Sequence, residues 1–240
     1  MAASKIEWTE ETWNPVTGCT KYSDGCLNCY AARFAERLKN MGSERYVDGF
    51  KLTIHKDTYE RPLHWAKPRM IFVNSMSDLF HENLPDNEIL EIFDVMNRAT
   101  QHTFQVLTKR SERLVELSNR INWTKNIWMG VSIESDGYLK RADDLRKCGA
   151  KTKFISAEPL LGSLRALDLS DIDWLIVGGE SGPKSRPMNE EWVLELRDKA
   201  RATRTAFFFK QWGGAQKKKR GSLLQGEYYK EYPNVEYKGL

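Results

Sequence analysis

The hydrophobic pattern breaks the chain into short apolar runs separated by longer segments of helical period. From residue 69 onward six runs read as strands: Arg69–Asn74, Thr103–Leu107, Ile127–Ile133, Lys153–Ser156, Trp174–Val177 and Thr205–Phe209. Each is nearly continuous in apolar character, as expected of strands covered on both faces of a parallel sheet. Between them apolar positions recur every three or four residues. Ile89, Ile92, Phe93 and Met96 form one stripe, and Leu114, Leu117 and Ile121 form another behind Ser111, a suitable N-cap. Leu139, Ala142 and Leu145 lead to Gly149 as a helix stop, and Val193, Leu196 and Ala200 follow Asn189, a second favoured cap. The front third fits the same scheme, with Glu7–Trp13 and Lys51–Ile54 as strands. Between them Asn28–Asn40 is a helix carrying Ala31, Phe34, Ala35 and Leu38 on one face.

Strand, crossover and strand repeated this often imply right-handed βαβ units. The expected architecture is α/β: a complete or partial (β/α)8 TIM-type barrel of parallel strands, with a doubly wound open sheet as the alternative. Residues 1–212 form the barrel domain, and residues 213–240 form a basic, aromatic C-terminal extension packing on it.

In such folds reactive groups gather where strands run out toward helices. Here polar residues stand at each of six exits: Asn74, Ser75, Ser77 and Asp78; Lys109 and Arg110; Ser132 and Glu134; Ser156 and Glu158; Glu180; and Lys210. Some of these serve as helix caps or loop anchors. Six coincident exits nevertheless point to a polar, cup-shaped site, since each buried polar group costs desolvation.

Composition narrows the class. With 40% hydrophobic and 29% charged residues among 240, the chain is neither disordered nor collagenous, nor a disulfide-stapled mini-domain. No apolar stretch approaches the length needed to span a bilayer, and the N-terminus carries no secretory pattern, so a cytoplasmic protein without a membrane partner is expected. The net charge of +4 is concentrated in the extension, where six basic residues face three acidic ones. Lys217, Lys218, Lys219 and Arg220, with Trp212, Tyr228, Tyr229 and Tyr232, suit phosphate contact and base stacking, or simply a solvated basic loop.

Three of the four cysteines fall within one loop, Cys19, Cys26 and Cys29, spaced C-x6-C-x2-C. In a reducing compartment such a cluster reads as metal or redox chemistry rather than disulfides. Cys29, and with it Cys26, falls near a helix N-terminus, whose field favours a thiolate. No fourth cysteine or histidine is near in sequence, and Cys148 reads as a small buried residue. Three thiolates with an open position suit a [4Fe–4S] cluster; zinc and an unmetallated loop stay open as alternatives.

The opening WNPVTGC…GCxxCYA, with NSMSDLFH, VLTKR, SAEPLLG, VGGESG and FFFKQWG, resembles a phage-associated three-cysteine-motif family. That family is itself similar to radical S-adenosylmethionine (SAM) enzymes such as spore photoproduct lyase. The resemblance covers about residues 13–237. It implies that Cys19, Cys26 and Cys29 hold a [4Fe–4S] cluster which binds SAM and cleaves it reductively to methionine and a 5′-deoxyadenosyl radical. It further implies a flavodoxin- or ferredoxin-type electron donor, a nucleic acid, nucleotide or related substrate, and a partner protein encoded nearby.

Two features depart from the usual pattern: the first cysteine gap is three residues longer, and Asn28 replaces the aromatic before the last cysteine. The Gly178-Gly179-Glu180 segment follows a late strand, so it is not assigned the usual SAM-amino contact. Asn74, Ser75, Ser77, Asp78, Ser132, Glu134 and Glu158 are the candidate cofactor-binding residues, and Lys109, Glu134 and Glu158 the candidate catalytic ones. The sulfurs are expected to converge at the strand ends, facing Asp78 and Glu158 across a cavity. Two other readings compete. One is a metal-stabilised barrel, zinc or iron–sulfur, that binds nucleic acid or a partner protein without catalysis. The other is an acid–base hydrolase or lyase using Lys109, Glu134 and Glu158.

Overall fold

The computed structural model describes residues 4, 6–215 and 221–234. Its strands are β1 (Glu11–Trp13), β2 (Val16–Thr17), β3 (Thr53–Ile54), β4 (Met70–Val73), β5 (Thr103–Thr108), β6 (Ile127–Ser132), β7 (Thr152–Ala157), β8 (Trp174–Gly178) and β9 (Ala206–Gln211). Its helices are α1 (Tyr30–Asn40), α2 (Asp86–Arg98), α3 (Ser111–Ser118), α4 (Lys140–Arg146) and α5 (Glu190–Thr203).

Seven strands form one parallel sheet in the order β1-β4-β5-β6-β7-β8-β9. This is chain order throughout. A doubly wound sheet would reverse direction at a switch point, so the sheet is a curled half-barrel, a partial (β/α) barrel.

Three local expectations are corrected. Lys51–Ile54 supplies no barrel strand: β3 pairs antiparallel with β2, Val16 opposite Ile54. The segment leading on to β4 forms short 3-10 turns at Lys56–Thr58 and Arg61–His64 rather than a crossover helix. Ser111 begins α3 instead of capping it, and its hydroxyl donates to Asp144 Oδ2 at 2.9 Å, tying α3 to α4. Gly149 is not a left-handed stop but a close-packing position against the Trp123 indole. Asn189 does cap α5, its side chain accepting from the Glu191 amide at 3.0 Å.

Both faces of the sheet are buried, but differently. Ile71, Val73, Met129, Val131, Ile155, Leu175, Val177, Phe207 and Phe209 join the main core with the apolar stripes of α2, α3 and α5. Residues of opposite parity, Met70, Phe72, Trp128, Phe154, Trp174, Ile176 and Phe208, gather with Trp8 as a separate cluster. Trp174 is its hub, meeting Trp8, Trp128, Phe154 and Phe208 at centroid distances of 5.7–6.2 Å. Edge-to-face pairs of this kind add about 0.5–1.5 kcal/mol each beyond area burial. They give the concave side a rigid aromatic floor.

The exposed side of β9 is covered by the chain's own return. Phe208 bridges antiparallel to Lys230, and the Phe209 amide donates to the Tyr229 carbonyl at 2.9 Å. Covering an edge in this way blocks strand addition. It also engages the extension's aromatics: Tyr229 packs on Phe207, Tyr232 on Trp174 and Phe208, and Trp212 on Phe209. Of the aromatics suggested for base stacking, Tyr228 alone has no such packing contact among the described residues, and it is strongly exposed. Lys217, Lys218, Lys219 and Arg220 lie outside the described residues.

Candidate active site at the mouth of the half-barrel

Side chains alternate along a strand, so each floor residue begins an inward column. In two-residue steps these columns reach Asn74 from Phe72, Lys109 from Leu107, Glu134 from Trp128 through Gly130 and Ser132, Glu158 from Phe154 through Ser156, Glu180 from Trp174 through Gly178, and Lys210 from Phe208. Aromatics thus lie at the bottom, small residues above them, and charges at the C-terminal rim. The six exits singled out by the sequence share one mouth.

Most of those rim groups grip the cysteine loop. The first grip is the Asp78–Arg110 pair. Asp78 Oδ1 accepts from Thr108 Oγ1 (2.7 Å) and the Phe80 amide (3.0 Å), while Oδ2 accepts from the Lys109 amide and Arg110 Nη1, both at 3.1 Å. Arg110 then donates to Thr20 Oγ1 at 2.9 Å, to Glu82 at 2.5 Å and to Cys19 Sγ at 3.6 Å. The ring of Tyr22 lies 4.8 Å from its guanidinium.

The second grip is centred on Glu134, which is fully buried. Oε1 accepts from Lys109 Nζ and Ser23 Oγ, both at 2.6 Å, and Oε2 from Arg141 Nη1 at 2.8 Å. Burial alone would raise its pKa, but Lys109 and Arg141 together hold it below the ordinary carboxylate range. The loop approaches so closely that a Cβ on Gly25 would lie 2.5 Å from Glu134 Oε1; only glycine fits there.

The third grip is Glu180. Its carboxylate accepts from Asn28 Nδ2 at 3.0 Å and from the Arg186 amide and guanidinium at 2.6–3.1 Å. Burial opposes ionisation, yet Arg186 and Asn28 bring its pKa down to about 2. Arg186 also donates to the Asp24 carbonyl at 2.9 Å.

At its start the loop is fixed by Gly18, in the left-handed region at φ 82°. Its amide donates to the Met76 carbonyl, its carbonyl accepts from Ser77 Oγ at 2.6 Å, and a Cβ would collide with the Lys51 carbonyl.

These contacts sort the candidate residues. Ser77, Asp78 and Glu134 are engaged in holding the loop, and Ser75 Oγ donates to Asn14 Oδ1 at 3.1 Å. Asn74 is buried with φ 58°; its Oδ1 accepts from the Val16 amide, while Nδ2 has no partner among the described residues. Ser132 is buried in the small-residue layer, its carbonyl held by Arg141. Glu158 pairs with Lys210 Nζ at 2.5 Å, both side chains partly exposed.

All three loop cysteines are free thiols of intermediate exposure, and Cys148 is buried as expected. Cys29 stands at the cap position of α1. Cys19 runs against the low-pKa expectation for the loop: burial and the Asp78 charge push its thiol up to about 11, with Arg110 pulling the other way. Cys26 and Cys29 line a cleft of about 400 Å³ that Cys19 does not line. Among the described residues no three His, Cys, Asp or Glu side chains are grouped to hold one metal ion. The expected convergence of the sulfurs is therefore corrected, because Cys19 is drawn aside toward Arg110. That arrangement does not make a closed tetrahedral zinc site. It is compatible in donor chemistry with a cluster, whose thiolates bind separate irons. The unpartnered Asn74 amide donor is a second feature that suits a polar ligand at this mouth.

Sequence reasoning missed the roles of Arg141, Arg186 and Asn28. Arg186 lies in a loop with no periodic signal. Asn28 was visible only as a departure from the usual aromatic.

Fold and mouth together define a parallel α/β half-barrel carrying a clamped three-cysteine loop over its C-terminal rim. The chain belongs to the family DUF5131, described as proteins of unknown function, whose model matches residues 3–233. No curated protein matches the sequence. In structure the chain is similar to a mutant spore photoproduct lyase with bound AdoMet and dinucleoside spore photoproduct, at TM-score 0.51 and 15% identity, over 85% of this chain and 64% of that one. A second mutant of the same lyase gives TM-score 0.51, 14% identity and the same coverage. The chain thus spans less than two thirds of the length of that lyase. At this identity the likeness is one of fold. No helix among the described residues is long and apolar enough to cross a membrane.

Proposed function

We propose that the protein is a radical SAM-like iron–sulfur enzyme acting on a nucleic acid, nucleotide or related substrate. The observation that carries this reading is the loop bearing three free cysteines, gripped by three buried ion pairs over the mouth of a half-barrel. A loop that had only to close the barrel would not need three desolvated charge centres beneath it. The fold likeness to a lyase crystallised with AdoMet supports the same reading.

In this reading Cys19, Cys26 and Cys29 hold a [4Fe–4S] cluster. Such a cluster supplies one electron to SAM, taken from a flavodoxin- or ferredoxin-type donor, giving methionine and a 5′-deoxyadenosyl radical. The chain's own residues divide the remaining work. Asp78–Arg110, Lys109–Glu134–Arg141 and Glu180–Arg186 fix the loop. Asn74, with its unused amide donor, and Ser132 are left to meet SAM polar groups. Glu158, paired with Lys210, is the rim acid left for a proton or a substrate hydroxyl.

The test is anaerobic reconstitution with iron and sulfide, followed by reduction in the presence of SAM. Wild type is expected to form 5′-deoxyadenosine, and Cys19→Ala, Cys26→Ala and Cys29→Ala are each expected to abolish it. A fully loaded cluster that yields no 5′-deoxyadenosine would overturn the reading.

A further inference from the structure

The cleft behind the loop is lined by Lys21, Cys26, Leu27, Asn28, Cys29, Ala32, Arg33, Pro183 and Lys184. Lys21, Arg33 and Lys184 are exposed, and among the described residues no salt bridge joins any of them to a carboxylate. The rim acids nearby are otherwise engaged, Glu180 by Arg186 and Glu134 by Lys109 and Arg141. Arg33 is fixed rather than floppy: Nη2 donates to the Ser181 carbonyl at 3.0 Å, and its guanidinium lies against Gly182. One edge of the molecule thus presents three uncompensated cations around two of the loop cysteines.

Apolar side chains adjoin them. Successive α1 residues turn by about 100°, so Arg33 is flanked on one side by Cys29 and Ala32, which line the cleft, and on the other by Tyr30 and Phe34. Tyr30 and Phe34 are 52% and 47% exposed, and Leu27 in the cleft wall is 61% exposed. Tyr30 is held in place by its hydroxyl, which donates to the Ser75 carbonyl at 2.6 Å. Cations that track phosphates beside rigid exposed rings that stack on bases are the recurring chemistry of single-strand binding.

We infer that this cleft and the adjoining face of α1 bind a single-stranded nucleic-acid segment. Lys21, Arg33 and Lys184 take its phosphates, and Tyr30 and Phe34 stack its bases. The inference rests on the proposed function in that it brings the substrate to the loop cysteines. It moves the contact away from Lys217–Arg220, where the sequence alone had suggested it.

The test is fluorescence anisotropy with a labelled oligothymidylate of about twelve nucleotides, within the usual site size of such surfaces. The proteins compared are wild type, Lys21→Ala/Lys184→Ala, Tyr30→Leu/Phe34→Ala and Lys217→Ala/Lys218→Ala/Lys219→Ala, each checked for a native thermal transition. The lysine pair is expected to weaken binding about tenfold and to lower the salt slope by about two, one for each lost phosphate contact. The ring pair is expected to weaken binding with the salt slope unchanged. The tail variant is expected to bind within a few-fold of wild type. The inference is overturned if wild type fails to bind the probe, if the lysine pair binds as wild type does, or if the loss appears only in the tail variant. Repeating the titration on Cys19→Ala/Cys26→Ala/Cys29→Ala separates the two proposals. Binding kept by that variant, alongside a loaded wild type that makes no 5′-deoxyadenosine, would sink the radical reading and leave the cleft standing.

Discussion

Replacing Glu134 by Gln tests whether the rim charges hold the loop. The carboxylate is wholly buried and accepts from Lys109, Ser23 and Arg141 at 2.6–2.8 Å. Glutamine keeps the shape, removes the charge and turns one acceptor into a donor that must face a cation or the Ser23 hydroxyl. Removing one partner of a buried pair costs about 3–5 kcal/mol, because the other charge stays desolvated. The lower end applies here. Arg141 retains the Ser132 carbonyl at 2.7 Å and lies 4.2 Å from the Tyr138 ring, while the Lys109 side chain is 19% exposed and can reach water. The expected loss is therefore about 3 kcal/mol, or a fall of roughly 1–1.5 M in the urea midpoint at a slope of about 2–3 kcal/mol/M. A cycle with Lys109→Met should show the two changes to be strongly non-additive. Ser23→Ala, which removes only the loop's bond to the carboxylate, should cost about 1.5–3 kcal/mol and speed alkylation of Cys26. A loss below about 1 kcal/mol for Glu134→Gln, or simple additivity with Lys109→Met, would refute the claim that this ion centre is a structural clamp.

Two further outcomes follow from the same geometry. Glu180 has its pKa depressed to about 2 in the fold, so its contribution is full above the ordinary carboxylate value and lost as pH falls toward 2; the stability advantage of wild type over Glu180→Gln should be up to about 3 kcal/mol at pH 6 and shrink through that window in urea titrations. Gly130→Ala drives a Cβ into the Phe154 ring, which lies 6.4 Å from Trp8 and 5.7 Å from Trp174, and should cost about 1–3 kcal/mol, with recovery in Gly130→Ala/Phe154→Leu; an unchanged melting temperature would show that the aromatic floor yields more readily than packing implies.

Much of the fold was legible because strand runs and helical stripes carry their periods locally. The doubly wound alternative could not be dismissed from periodicity, since strand order is a long-range property settled only by the pairing of β1 with β4 and the stepwise order to β9. The six polar exits were legible for a related reason: charges placed directly after buried strands stand out. Their roles were less so. Reading the strands as uniformly apolar hid a difference of parity, in which Phe72, Trp128, Trp174 and Phe208 line the concave side while aliphatic neighbours face the helices. Following that parity past each strand end would have brought Lys109, Glu134, Glu158 and Glu180 to one mouth. It would not have found Arg141 or Arg186, which reach the rim from a helix and a loop. Nor would it have shown Asp78 and Glu134 already paired, because pairing depends on which neighbouring strand end carries the counter-charge.

The longer first gap of the cysteine motif acquires a physical reason from these contacts. Thr20, Tyr22, Ser23 and Gly25 all lie between Cys19 and Cys26. Thr20 takes the Arg110 guanidinium, Tyr22 lies beside both Arg110 and Arg141, Ser23 donates to Glu134, and Gly25 makes room for that carboxylate. A shorter gap could not span from the end of β5 to the end of β6 and still leave a cysteine at each side. The extra residues are therefore the loop's points of attachment to two neighbouring strand ends rather than slack. Asn28 follows the same logic: an aromatic there could not bridge the Glu180 carboxylate and the Lys184 carbonyl, which its amide nitrogen meets at 3.0 and 2.9 Å. Both departures from the usual spacing and identity fall where the half-barrel reaches up to hold the loop, so position is imposed on the cysteines by the sheet and not by the loop's own conformation.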